Sequence, residues 1–363
     1  MPRLRRSDCS EPGFTRRRRG RGFQYLDHEG RPLRDAATLE RIRSLVIPPA
    51  WTDVWICPDP WGHLQAVGAD AAGRKQYRYH PRWRERRDRE KFDRMLAFAR
   101  SLPALRERAA RHLAEEGFGR KRVLACAVRL LDRGFFRTGG EAYVDSNDSF
   151  GLATLRKDHV SFDGDHTLVF DYPAKSGKRR EQEVVDPEVA EVVRSLKRRR
   201  TGTELLAWKR NGGWVDVRSA DVNDYIQELT GHDYTAKDFR TWHGTVLAAV
   251  GLAVSALAAG TKTGRKRAMR RAVQEVATYL GNTPAVARSS YIDPRVFDRF
   301  NAGGTIAGVL DRLGEADPMH RPTLQGAVEE AVLDLLEGDD DSPALRHVDE
   351  IADLAEPAAW IRS

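Results

Sequence analysis

Residues 150–185 read FGLATLRKDHVSFDGDHTLVFDYPAKSGKRREQEVV. Turn signals at Asp163-Gly164-Asp165 and Ser176-Gly177 divide this run, which is rich in β-branched and aromatic residues, and predict three short strands within 141–186. Helical spacing appears on both sides. Upstream, Phe92, Met95, Leu96, Phe98 and Ala99 share one helix face, and Leu124, Ala125, Val128, Leu130 and Leu131 share another. Downstream of Pro187 the chain reads as helix over 188–200, 219–230, 236–259, 265–281 and 293–313. A small three-stranded sheet set into a large α-rich domain, about 91–314, is the fold that follows.

The remaining segments differ in character. Residues 22–90 read as a small β-rich domain. GFQYLDHEGRPL and WTDVWICPDPWGHLQAVGAD suggest hairpins, with the helix AATLERIRSLV between them, stopped by Pro48-Pro49. Residues 1–21 carry eight arginines and read as a flexible basic arm. Residues 315–363 hold 13 acidic and 3 basic residues and read as an appended acidic tail. The fold class is therefore α+β, and a bilobed clamp with a positive channel between the lobes is the expected arrangement.

The 363 residues carry 61 Lys and Arg against 53 Asp and Glu, a net charge of +8, yet residues 1–314 alone carry +18. So basic a body points to a polyanionic partner, nucleic acid first. No apolar run approaches the ~20 residues that span a bilayer. The charged N-terminus lacks the apolar core of a secretory signal. Cys9, Cys57 and Cys126 are scattered and contain no CxxC pair, which fits a reduced cytoplasmic setting and neither a disulfide scaffold nor a cysteine zinc site. GxxxxGK[ST], HExxH and GxGxxG are absent, so ATP, metal and dinucleotide cofactors have no support in the sequence.

Four candidate residues sit in the helical domain, in the order Arg, Lys, Arg, Tyr. Arg137 lies in FFRTGGEAY at a helix end, Lys175 in the turn of YPAKSGKRRE, and Arg240 in TAKDFRTWHGT behind an N-cap pair, Thr235 and Asp238. Tyr291 lies in NTPAVARSSY just ahead of a helix. Breaking a phosphodiester calls for a positioned nucleophile and for cations on the non-bridging oxygens. Two guanidiniums suit the second task, because each grips phosphate bidentately and stays charged.

The runs RIRSLVIPPAWTDVWI, GRKQYRYHPRWRERRDREKF, RTGGEAY, FGLATLRKDHV, KDFRTW and GNTPAVARSSY, in that order over about residues 12–310, resemble the type IB DNA topoisomerases, in particular their compact poxviral and bacterial branch. The resemblance implies that Tyr291 attacks the scissile phosphorus to form a 3′-phosphotyrosyl link, that Arg137 and Arg240 hold the phosphate, and that Lys175 is the general acid for the leaving 5′-oxygen. Lys178 then becomes a phosphate contact. The poxviral and eukaryotic members place a histidine nine residues before the nucleophile. Here that position is Asn282, whose amide donates a hydrogen bond but no charge.

The resemblance also implies DNA contacts from Gln76, Tyr77 and Tyr79, with Arg74 and Lys75 interleaved, and from Tyr143. Two lysines by which poxviral members read their site are Gly140 and Ala142 here, so that sequence preference does not transfer. The implied partner is duplex DNA, bound in the nucleoid by a monomer with no cofactor. A tyrosine recombinase is the rival of the same chemistry. It would carry HxxR at the second arginine, where this chain has Lys237-Asp-Phe-Arg240, and would begin with a helical domain. A non-catalytic basic DNA-binding protein would explain the charge but not the ordered runs.

Overall fold

The computed structural model describes residues 3–140, 149–256, 259–314 and 325–348. The chain divides into two compact units, Met1–Asp93 and Arg94–Ser363.

The first unit is built on an antiparallel sheet of β1 (Phe14–Arg19), β2 (Gly22–Leu26), β3 (Thr52–Ile56), β4 (Leu64–Ala69) and β5 (Lys75–Tyr79), in the order β2-β1-β3-β4-β5. Helix α1 (Ala36–Ser44), capped by Asp35 accepting from the Thr38 amide, covers it. Ile42, Ile47, Val54, Ile56 and Ala66 form the core, with Phe14, Tyr25 and Trp51 packed against it. The basic arm is thus corrected: Phe14–Arg19 is a strand, paired with β2 and, at Phe14 and Thr15, with β3. Arg16 makes this possible. Its guanidinium leaves solvent to donate to the Ile47, Pro48 and Trp51 carbonyls and lies 4.1 Å from the Phe23 ring centroid. The hairpin expected within GFQYLDHEGRPL is present in short form: the chain turns at Asp27–Gly30, Asp27 and Leu33 donate to the Arg31 and Tyr25 carbonyls, and Leu26 bridges Pro32 on the edge of β2 that β1 leaves open.

Helix α2 (Pro81–Leu113) begins in the first unit and ends in the second. The second unit continues with α3 (Arg120–Gly134) and the antiparallel sheet β6 (Val160–Asp163), β7 (Thr167–Pro173) and β8 (Arg179–Val185), as the opening run predicts. After α4 (Pro187–Lys197) the chain forms a hairpin, β9 (Ala207–Arg210) and β10 (Gly213–Asp216), within the stretch read as almost wholly helical. Then come α5 (Ser219–Thr230), α6 (Ala236–Val254), α7 (Lys262–Leu280), α8 (Pro284–Ser290) and α9 (Pro294–Asn301). The described chain ends with β11 (Gly304–Thr305), α10 (Ala307–Gly314), α11 (Ala327–Glu337) and β12 (Arg346–His347). Trp242, Tyr225, Phe98, Phe136, Phe170, Phe239 and Phe300 are fully buried in this unit. No described helix is long and apolar enough to cross a membrane.

The acidic tail also needs correction. Val328, Ala331, Val332, Leu335 and Leu336 of α11 are buried, and β12 pairs with β11. The helix packs against α6, α9 and α10. Glu329, one of the charges that made this segment look solvated, accepts from both terminal nitrogens of Arg106 and from the Trp242 indole at 2.7 Å. Arg106 in turn holds buried Asp132 through Nε at 2.8 Å and Nη2 at 2.9 Å, and Gln325 donates to the same carboxylate. A carboxylate whose charge is met inside the fold does not keep its helix in water.

Candidate active site

The second unit brings together Arg137, Asn282, Arg240 and Tyr291, and Lys175 and Lys178 line a pocket with Arg137 and Asn282 that Arg240 and Tyr291 do not line. α3 ends at Phe135, whose backbone is left-handed with φ 54°. For a bulky residue that conformation costs on the order of 1–3 kcal/mol and persists only where its surroundings demand it. Here it aims the Phe135 carbonyl at Arg240 Nη1, 2.7 Å away. Two residues on, Arg137 is tied back into the fold, as its carbonyl accepts from Leu152 and that of Thr138 accepts from Ala153. The sequence runs RTGGEAY and FGLATLRKDHV therefore meet side by side.

α7 terminates at Gly281, φ 59°, a left-handed cap that glycine takes without steric cost. The reversal turns Asn282 toward Arg137, and Asn282 Oδ1 accepts from Arg137 Nη2 at 2.6 Å. The same Nη2 reaches the Gly281 carbonyl at 3.0 Å. The nitrogen of that side-chain amide, Asn282 Nδ2, is buried without a partner among the described residues. A pocket of 390 Å³ opens here, lined by Arg137, Lys175, Lys178, Arg180 and Asn282 among others.

α6 carries the second arginine behind a cap in which the Asp238 carboxylate accepts from the Thr235 amide at 2.8 Å, the pair expected from the sequence. Arg240 is 5% exposed and donates to the Phe135 and Leu280 carbonyls. Its guanidinium carbon stands 5.2 Å from the Tyr291 ring centroid. Burial, followed by the like charge of Arg137, lowers its pKa. Gly244 lies one turn along the same face. A Cβ there would come within 2.5 Å of the Tyr291 carbonyl oxygen, so only glycine lets α6 and Tyr291 approach this closely. Next to it, the Thr245 hydroxyl accepts from the Asp293 amide at 3.1 Å. Asp293 is fully buried and paired with Arg295 at 2.8 Å.

These contacts fix Tyr291 at the end of α8. Burial would by itself push its phenol up, but the positive charges of Arg240 and Arg137 outweigh it and bring the pKa below the ordinary tyrosine value. His243 packs into the core instead: Nε2 lies 3.5 Å from Asp132 Oδ1 and the ring meets Phe135 edge-on.

Lys175 and Lys178 flank the tight turn between β7 and β8, both exposed. In the first unit, Lys75, Tyr77 and Tyr79 alternate outward along edge strand β5. The two tyrosine rings, 44% and 38% exposed, stack with centroids 6.0 Å apart. Arg74 and Gln76 are instead engaged by Asp70, at 2.9 Å each. Tyr143 lies outside the described residues.

Sequence reasoning passed over Arg180, Gly244, Thr245 and the Arg106–Asp132–Glu329 network. Arg180 carried a usable signal, since it lies three residues past the Ser176-Gly177 turn, opposite Tyr172 in the ladder. The network carried none, because its members are 26 to 223 residues apart.

A phenol of lowered pKa beside clustered guanidiniums is suited to covalent phosphoryl transfer. Residues 80–303 match a family described as the catalytic core of eukaryotic DNA topoisomerase I. Residues 22–70 match the N-terminal domain of bacterial DNA topoisomerase IB. The chain belongs to the type IB DNA topoisomerases, a family of isomerases, and the resemblance read from the sequence is borne out. Among individual relatives it is 31% identical over 288 residues to DNA topoisomerase 1B of Acanthamoeba polyphaga mimivirus, covering 77% of this chain and 85% of the viral protein. It is 26% identical over 159 residues to DNA topoisomerase 1 of Daucus carota, which is 44% of this chain and 19% of the plant protein. With DNA topoisomerase 1 of Schizosaccharomyces pombe it shares 30% identity over 126 residues, 34% of this chain and 15% of the yeast protein.

Proposed function

We propose that this chain relaxes supercoiled duplex DNA by cutting one strand, letting the free end rotate, and resealing it. The Tyr291 oxygen bonds to the scissile phosphorus as the bond from phosphorus to the 5′-oxygen breaks. The phenol gives up its proton, the 5′-oxygen receives one from Lys175, and a 3′-phosphotyrosyl link remains. Arg137 and Arg240 hold the non-bridging oxygens, where charge builds up in the transition state. Asn282 adds a neutral hydrogen bond and Lys178 a further phosphate contact. The link conserves the energy of the broken bond, so the cycle requires neither ATP nor a metal. Lys75, Tyr77 and Tyr79 present cation and aromatic faces to the backbone or bases, and Gln76, Arg74 and Tyr143 add contacts. The protein acts as a monomer.

The observation that carries this reading is Tyr291 seated 5.2 Å from the Arg240 guanidinium with its phenol pKa lowered. Plasmid relaxation in EDTA without ATP tests it. Wild type should relax both signs of supercoil and leave a detergent-trapped covalent adduct, whereas Tyr291→Phe should do neither. An adduct formed by the phenylalanine variant would remove Tyr291 from the role. A recombinase would exchange strands between duplexes, and a non-catalytic binder would form no adduct.

A further inference from the structure

The pocket that holds Arg137, Lys175, Lys178 and Asn282 has a further cation that the scheme above leaves unused. Arg180, the second residue of β8, lines it, donating to the Tyr279 carbonyl at 2.7 Å and to Gln182 Oε1 at 2.5 Å. Its Nη1 lies 3.0 Å from where a Cβ on Gly281 would stand, so the guanidinium sits against the same turn that presents Asn282 to Arg137.

The acceptors around these arginines are telling. Arg137 donates to the Gly281 carbonyl and the Asn282 amide oxygen, Arg240 to the Phe135 and Leu280 carbonyls, and Arg180 to the Tyr279 carbonyl and Gln182. Every one of those acceptors is neutral. Glu181 lines the same pocket, but it and Asp171 both pair with Arg179. Among the described residues, three guanidiniums close enough to repel one another thus share no carboxylate. Burial first, and the charge of Arg137 after the opposing pull of Tyr172, lower the Arg180 pKa. One buried and two half-buried cations kept together without a counter-charge leave a site whose missing partner is an anion.

We propose that Arg180 is a further phosphate-binding residue of this site, donating with Arg137 to the scissile phosphate of DNA. The proposal rests on the reading of Tyr291 as nucleophile. A phosphodiester carries one negative charge, and attack by a phenolate raises it to two at the pentacoordinate stage. A third guanidinium therefore contributes most in the transition state.

The test compares wild type with R180Q, R180K and Y291F on a duplex containing the strongest wild-type cleavage site, located beforehand by trapping the covalent adduct. Two versions of the duplex are used, one with the normal scissile phosphate and one with a neutral methylphosphonate there. On normal DNA, R180Q should form adduct about 100-fold more slowly than wild type, the usual cost of one lost transition-state donor, and R180K should recover part of it. On the methylphosphonate the three should agree within about 3-fold, because the charge that Arg180 meets is gone. R180Q cleaving normal DNA at the wild-type rate would overturn the proposal. So would an equal slowing on both duplexes, which would make Arg180 only a prop for the Tyr279–Gly281 turn. If R180Q does not fold, the ratio of R180K rates on the two duplexes decides in the same way. Adduct from Y291F would instead strike the nucleophile assignment, an outcome separate from either Arg180 result.

Discussion

Gly244→Ala adds one methyl group to the closest approach in the site. The new Cβ would lie 2.5 Å from the Tyr291 carbonyl oxygen, 3.2 Å from the Tyr291 Cβ and 3.2 Å from Leu280 Cδ1. Non-bonded carbon contacts settle at about 3.5 Å, so something must retreat by roughly 1 Å. Helix α6 has little freedom to do so, with Trp242, Val246 and Ala248 nearly unexposed in the core. The segment after Tyr291 is pinned at Asp293, whose amide bonds Thr245 and whose carboxylate bonds Arg295. The displacement therefore falls on Tyr291. Misplacing a reacting group by about 1 Å costs on the order of 100-fold in rate. Stability should change far less, since overpacking costs about 1–3 kcal/mol while alanine gains about 1 kcal/mol over glycine inside a helix. Single-turnover adduct formation and urea unfolding measure the two quantities. An alanine variant that forms adduct within about 3-fold of wild type would refute the reasoning, as would a rate loss explained wholly by weaker DNA binding.

Truncation after Gly314 should prevent the Arg94–Ser363 unit from unfolding as one cooperative transition. It removes five buried apolar side chains of α11 worth on the order of 8 kcal/mol, comparable with the whole stability of a domain, and near-UV circular dichroism reads the loss. Tyrosinate absorbance should show one phenol fewer titrating below the ordinary value near ~10 in Y291F than in wild type, and R240Q should move that phenol upward. Lys175→Ala should cut normal DNA slowly yet recover on a 5′-bridging phosphorothiolate, whose sulfur leaves without a proton; no recovery would mean that Lys175 is not the acid. Burial would push the Asp132 carboxyl up, but the hydrogen bonds and charges of His243 and Arg106 hold it below the usual carboxylate range. A folded value below the unfolded ~3.9 stabilises at higher pH and is lost as pH falls past it, so D132N should flatten the acid limb of stability against pH.

How far the sequence could be read depended on whether a residue's partner lay nearby. The strands of 150–185, the cap at Thr235 and Asp238, and the helix faces around Phe92 and Leu124 rest on periodicity and short-range hydrogen bonds, and all of them are present. Arg137, Arg240, Asn282 and Tyr291 were found through the runs around them, while their convergence depends on Gly281 and Phe135 turning the chain, which no run announces. Charge misled twice. Arg16–Arg19 suggested a solvated arm because nothing local shows that Arg16 finds three carbonyls more than 30 residues away. Glu329 suggested a solvated helix because Arg106 and Trp242 stand 223 and 87 residues from it. A count of charges locates polarity along a chain and is blind to pairing in space.

The place of α11 in the order of synthesis bears on when the enzyme becomes competent. Arg137, Lys175, Arg240, Asn282 and Tyr291 all leave the ribosome before Ala327–Glu337 does, yet Arg106 and Trp242 wait for Glu329 to complete their hydrogen bonds. A nascent chain can thus hold every residue proposed to act on DNA while Arg106 and Trp242 still lack their partner. A message broken anywhere between Ile292 and Ala327 would give a product with all five of these residues and without α11. Such a product would lack the helix whose Glu329 completes the Arg106 and Trp242 hydrogen bonds, and would be a substrate for proteases.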